Sequence, residues 1–322
     1  MNHRWKAVIR LLIGISVILV LLIISFAVIL IVPAISDPSA TYIDRKGRIV
    51  AVQKTDEWKD QNAHFYDLSL HSSSGLDVDI SVRIPLNTTS PRPLAIVIGG
   101  YRTGRHGIKI ISESHNVIVA TLSYPYHGDK KVNKDNFIKN LGHIRQAFAD
   151  TPPAILNAFD YLRNQPYVDP EKIELVGVSL GAFLIGIPGA LEPRIKRVWL
   201  VQGAADPAAI FEDRLTEKIT FTPLRRIIAK WIEIAIGGHH VNPKKWVGLI
   251  APRPVIAINT YGDEAFPVSS VELLHQSLRE PHEVIWIKGK HVLPSRKDVI
   301  EQLASIVFRR ISEDNKANTN IK

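Results

Sequence analysis

Lys172-Ile173-Glu174-Leu175-Val176-Gly177-Val178-Ser179-Leu180-Gly181-Ala182-Phe183 is the stretch that decides the fold. A β-branched, apolar run stops at a Gly-x-Ser-x-Gly pentapeptide and resumes as a helix-compatible segment. That order of strand, tight turn and helix presents a serine hydroxyl at a strand's end. A turn this sharp presses the residues two before and two after the serine against neighbouring backbone, where Gly177 and Gly181 offer no Cβ to clash.

The pentapeptide also occurs by chance in glycine-containing turns, so its chemistry must be completed elsewhere. A serine hydroxyl is a poor nucleophile at neutral pH. It needs a histidine base, an acid to orient that base, and N–H donors for an oxyanion.

Before the elbow, Phe65 to Leu70 and Asp79 to Ile84 alternate at strand period and predict an antiparallel start to a sheet. Continuous apolar runs then recur at Leu94 to Ile98, Val117 to Leu122, Ile173 to Val178, Val198 to Val201, Val255 to Asn259 and Val284 to Ile287. Unbroken runs of this length, separated by helical stretches, are how buried parallel strands read. The expectation is an α/β fold with a mostly parallel sheet of eight strands and helices on both faces.

The strand after the elbow's neighbour, Val255 to Asn259, leads into Thr260-Tyr261-Gly262-Asp263-Glu264, which puts a carboxylate just past a strand's carboxyl end. Asp263 is the candidate acid, with Glu264 beside it as the alternative. The next strand ends in Lys288-Gly289-Lys290-His291, and His291 is the candidate base. His127, His239, His240, His275 and His282 lie after an earlier strand, in an insertion or before the last strand, and fit less well. For the oxyanion, the N–H of Leu180 follows the serine directly. A second donor is expected from the glycine-rich loop Gly99-Gly100-Tyr101-Arg102-Thr103-Gly104, with the Tyr101 N–H as candidate.

From Leu11 to Ala34 the chain is apolar apart from Gly14, Ser16, Ser25 and Pro33, which exceeds the roughly 20 residues that cross a bilayer as a helix. A cleaved signal peptide would show a shorter apolar core of about 7 to 15 residues, although Ala34-Ile35-Ser36 resembles a cleavage site. The expectation is an uncleaved, single-pass transmembrane anchor over residues 1–36. Arg4, Lys6 and Arg10 before the span favour a cytoplasmic amino terminus and an extracytoplasmic catalytic domain; Arg45, Lys46 and Arg48 beyond it dilute that bias.

Residues 37–63 read as a linker or leading hairpin, 64–311 as the main domain and 312–322 as a polar, disordered tail. Residues 203–254 exceed an ordinary strand-to-helix connection and form an insertion. Within it, Thr222 and Pro223 open a helix that Gly237-Gly238 ends. On that helix Leu224, Ile227, Ile228, Trp231 and Ala235 share one face and Arg226, Lys230 and Glu233 the other. The helix either packs its apolar face on the sheet, caps the active site, or makes a second membrane contact.

The chain has no cysteine, which excludes disulfides, thiolate metal sites and cysteine nucleophiles. Its formal charge of +9 is spread without a nucleic-acid-binding motif, so an anionic membrane surface is the simpler explanation and no nucleic-acid partner is expected. Nothing in the pattern calls for a metal or cofactor.

Taken together, these residues resemble the α/β-hydrolase superfamily over roughly residues 64 to 310. Ala154 to Leu162, Val168 to Ile173 and Gly177-Val178-Ser179-Leu180-Gly181 look most like its dienelactone-hydrolase, acetyl-xylan-esterase and prolyl-oligopeptidase branches. The resemblance implies a Ser179, Asp263, His291 triad with oxyanion donors at Tyr101 and Leu180. Tyr124-Pro125-Tyr126-His127-Gly128-Asp129 matches a structural glycine-bearing loop of that superfamily, while Gly99 stands where many members carry a histidine. What it implies for function is a serine hydrolase acting on a small-molecule acyl ester or thioester. No room exists before His64 for the large propeller of prolyl oligopeptidases. The competing readings are a peptidase or acyltransferase with the same triad, or a non-catalytic interaction protein on a hydrolase scaffold.

Overall fold

The computed structural model describes residues 9–21, 24, 39–86, 90–100, 103–133 and 135–317. Two units separate, residues 1–38 and residues 39–322. In the first, residues 9–21 form a helix, α1, with its apolar side chains exposed. Among the described residues no helix is long and apolar enough to cross a membrane. The expected span falls in part on residues 22–23 and 25–34, which lie outside the described residues.

The second unit is built on a nine-stranded sheet of order β1-β2-β3-β5-β4-β6-β7-β8-β9. The six apolar runs become β4 (Arg92–Ile98), β5 (Ile118–Leu122), β6 (Val168–Val178), β7 (Arg197–Val201), β8 (Val255–Gly262) and β9 (His282–Lys290). They pair in parallel throughout. β2 (Ala63–Ser72) and β3 (Asp77–Pro85) supply the antiparallel start, with β3 pairing β5. The reversal of β4 and β5 in the order follows from a crossover, and it places β6 and its elbow mid-sheet.

The ninth strand corrects the expectation of eight. β1 (Ile49–Lys59) pairs with β2 along its whole length, yet almost every side chain on it is exposed. An edge strand with neither face buried carries no alternation to read. Ahead of it α2 (Ser39–Lys46) takes up the first part of what reads as a linker or leading hairpin. Its Tyr42 is buried against Trp246, and Arg45 pairs with Asp150.

Both sheet faces are covered, which explains the continuous apolar strands. On β4, Leu94, Ile96 and Ile98 join a core with Ile155, Ala158, Phe159 and Leu162 of α3 (Phe137–Arg163). Ala95 and Val97 point the other way, into a core with Val299, Leu303, Val307, Phe308 and Ile311 of α10 (Lys297–Ala317). Each large apolar side chain fully buried in these two layers contributes roughly 2 kcal/mol. α10 runs past the point where a disordered tail was expected. Ser312 to Ala317 continue the helix, and Asp314 accepts from Arg197 Nη1 at 2.7 Å. Residues 318–322 lie outside the described residues.

Candidate active site

β6 ends at Val178, and Ser179 takes φ 54° and ψ −115° before α4 (Leu180–Leu184) begins. The strained residue is held because its N–H donates to Val201 O of β7 at 2.9 Å. Glycine is obligatory on both sides. A Cβ on Gly177 would fall 2.6 Å from Ile185 Cγ2 and 2.7 Å from Gly181 O, and a Cβ on Gly181 would overlap the carbonyl oxygen of Ile98. The elbow therefore packs directly on the carboxyl end of β4.

The carboxyl ends of β8 and β9 bring two more side chains to the same edge. His291 Nε2 lies 2.8 Å from Ser179 Oγ, and His291 Nδ1 lies 2.8 Å from Asp263 Oδ2. His291 and Asp263 are both buried, and the Phe266 ring stands edge-on to the imidazole with centroids 5.2 Å apart. With Nδ1–H donated to the carboxylate, Nε2 is left to accept from the serine hydroxyl, the tautomer that proton abstraction requires.

Glu264, the alternative acid, does not reach the ring. Its Oε2 accepts the main-chain N–H of His291 at 3.0 Å, and Arg296 pairs with its other oxygen. The His291 N–H, followed by the Arg296 side chain, holds the Glu264 carboxyl down at about 2.

Of the expected oxyanion donors, Leu180 opens α4, where a first-turn N–H has no intrahelical acceptor. Tyr101 lies outside the described residues. The loop beside it is braced by Tyr124 OH donating to Gly99 O at 2.5 Å and by Thr103 Oγ1 donating to Gly100 O at 2.7 Å. The Tyr124 to Asp129 loop is tied down by Asn140, which accepts from Tyr126 OH and from the Asp129 N–H.

One positioning residue went unread in the sequence. Gln202, fully buried one residue past β7, donates Nε2 to Lys290 O and to Thr260 Oγ1, each at 3.0 Å. Its Oε1 accepts the Val292 N–H at 2.5 Å, so its amide grips the chain on both sides of His291. The only signal was its place at the carboxyl end of a parallel strand. Among the described residues no three His, Asp or Glu side chains are placed to share a metal ion.

The insertion supplies α6 (Pro207–Arg214) and α7 (Thr222–Ala235). Ile210 of α6 packs with Phe183 and Phe266, and Arg214 Nη2 donates to Ala265 O at 3.4 Å, so the insertion abuts the acid-bearing loop.

No family model matches the chain. In structure it is similar to acetyl xylan esterase 1 from Thermoanaerobacterium sp. JW/SL YS485, with a TM-score of 0.59 and 15% identity, over 83% of this chain and 93% of that one. It is also similar to the α/β hydrolase GrgF from Penicillium sp. sh18, with a TM-score of 0.54 and 15% identity, over 77% of this chain and 99% of that one. The fold is that of an α/β hydrolase. In sequence it is 24% identical over 123 residues to YtaP of Bacillus subtilis (strain 168), whose description names a hydrolase. The match spans 38% of the length of each of those two chains.

Proposed function

We propose that this chain is a serine hydrolase that cleaves a small-molecule carboxylic ester or thioester through an acyl-enzyme. The observation that carries the reading is the unbroken relay from Ser179 Oγ to His291 Nε2 and from His291 Nδ1 to Asp263 Oδ2, each link 2.8 Å. His291 takes the proton of Ser179 as Oγ attacks the acyl carbon, and Asp263 steadies the imidazolium that forms. His291 then returns the proton to the leaving alkoxide or thiolate. Water, deprotonated by the same imidazole, releases the acid and restores Ser179. The tetrahedral oxyanion is held by the N–H groups of Leu180 and Tyr101, each such donor being worth about 3 kcal/mol. The esterase among the structural relatives supports an ester substrate.

The test is labelling with a fluorophosphonate, followed by turnover of short p-nitrophenyl esters and thioesters. Wild type should label and turn over, Ser179→Ala should do neither, and His291→Ala should lose turnover. An unlabelled wild type that hydrolyses no acyl substrate would leave a scaffold without chemistry.

The apolar run from Leu11 to Ala34 supports a single-pass anchor, and the basic residues before it support a catalytic domain on the extracytoplasmic side. On this reading the chain resists carbonate extraction from membranes, and protease added outside digests the domain. Release by carbonate would refute the anchor.

A further inference from the structure

Of the two faces of α7, the one that carries the large apolar side chains is turned to the surface. Glu233 is turned inward and is 1% exposed, beside Ala229 and Ile234. The apolar stripe is turned outward: Phe221 is 64% exposed, Leu224 46%, Ile227 50% and Trp231 43%. A domain that buries a carboxylate and displays four large apolar side chains over about three helical turns presents a surface made for an apolar phase.

The flanks identify that phase. From Pro207 to Lys245 seven Lys and Arg residues stand against four Asp and Glu. Of the acids, Glu233 is buried against Lys230, and Glu212 is bound between Arg225 and Arg226. Arg226, Lys230, Lys244 and Lys245 remain exposed, with Asp213 and Glu217 the exposed acids of the segment. An apolar strip rimmed by cations matches the acyl and headgroup layers of an anionic bilayer. A second copy of the chain matches poorly. The stripe offers on the order of 400 Å², below the roughly 800 Å² per partner of a specific interface, and a twofold contact would bring the cations flanking the stripe from both copies into one interface.

We propose that α7 is a monotopic membrane-docking element, with Phe221, Leu224, Ile227 and Trp231 immersed at the acyl boundary of an anionic bilayer. The docking is independent of the hydrolase reading and separate from the anchor. Because α6 joins α7 to the acid-bearing loop, it also sets the candidate active site close to the lipid surface.

The absence of cysteine allows one probe to be placed at will. In the full chain, Ile227→Cys or Leu224→Cys carries an environment-sensitive fluorophore, with Glu301→Cys on α10 as reference. The labelled proteins are mixed with phosphatidylcholine–phosphatidylglycerol vesicles bearing doxyl-labelled lipid. The probe at 227 or 224 should shift to the blue and be quenched severalfold more than the probe at 301. Vesicles of phosphatidylcholine alone should quench it less. A thermal melt followed by circular dichroism reports folding of each labelled protein, and the two positions are independent substitutes for one another. A chain that sediments with vesicles while both probes stay in water would overturn docking and leave the anchor standing. A chain that does not associate with vesicles would overturn both. A lipid-independent blue shift with a doubled sedimentation mass would assign the stripe to a second copy and overturn the proposal.

Discussion

The main-chain N–H of His291 donates to Glu264 Oε2 at 3.0 Å, so His291 is held by Glu264 at its backbone while Asp263 holds its ring at 2.8 Å. Arg296 closes the arrangement by pairing with Glu264 and donating to His291 O at 2.6 Å. Two adjacent carboxylates thus divide the work on one histidine. Glu264→Gln keeps the size and loses the charge, and should lower kcat/KM by about tenfold, the worth of one charge-assisted hydrogen bond. Asp263→Asn, which disturbs the tautomer itself, should cost about 10³ to 10⁴ in kcat. With its carboxyl held at about 2, Glu264 stays ionised across any working range, and Glu264→Gln should leave the shape of the pH profile unchanged. Steady-state kinetics on one ester decides the matter, and a larger loss at Glu264 than at Asp263 would reverse the two roles.

Ser179 pays a conformational cost at φ 54°, a region few residues other than glycine occupy. Ser179→Gly should therefore be more stable than Ser179→Ala by about 1 to 3 kcal/mol, although both should be inactive. Thermal melts of the two variants test this. Equal melting temperatures would mean that the elbow carries no strain. Gly181→Ala should be the most damaging change in the loop, since its methyl would meet the Ile98 carbonyl.

The strands β4 to β8 were legible because their centres are buried on both faces and read as near-continuous apolar runs, and β9 because Val284 to Ile287 pack half-buried against that core. The meeting of Ser179, Asp263 and His291 was legible for a related reason, as each follows the carboxyl end of a parallel strand and those ends share one edge. What stayed hidden is set by contacts distant in sequence. β1 exists because β2 offers it a hydrogen-bonding edge, the last turns of α10 are held by Arg197, and Gln202 acts on residues about ninety positions away. The periodicity of α7 revealed two faces but not which of them turns inward, because that depends on what Glu233 and Lys230 meet in the fold.

Glu174 is fully buried on β6, where it accepts from Arg197 Nε and Nη2 at 2.8 Å and from Trp199 Nε1 at 2.7 Å. Removing it leaves Nε and Nη2 of a buried guanidinium and the Trp199 N–H without their acceptor, and Glu174→Ala should cost about 3 to 5 kcal/mol. Asp314 binds the same arginine from the half-exposed end of α10, so its loss leaves Arg197 still paired. Truncation after Ile311 should cost only about 1 kcal/mol. Urea denaturation of the two variants measures the contrast. A truncation as costly as Glu174→Ala would make the helix end, and not the buried pair, the main support of Arg197.

His239 is buried in the insertion with neither ring nitrogen hydrogen-bonded, its ring tilted 45° against that of His240 at 3.9 Å between centroids. Burial, and then the neighbouring His240, push its ring down to about 3. His240 is lowered too, by burial and then by Lys245. Both are therefore neutral in the folded state at pH 7, while an unfolded chain protonates its histidines near 6.5. A depressed histidine costs nothing above 6.5. Below it the unfolded state gains a proton that the folded state refuses, and stability falls with each step until the pH reaches about 3. At pH 5 the loss from His239 alone is about 2 kcal/mol. His239→Phe keeps an aromatic ring in a site that offers no hydrogen bond, and should flatten the fall in stability between pH 7 and pH 5 by that amount. Chemical denaturation of wild type and His239→Phe at the two pH values gives the answer, and parallel losses in both proteins would show that His239 takes up its proton in the folded state.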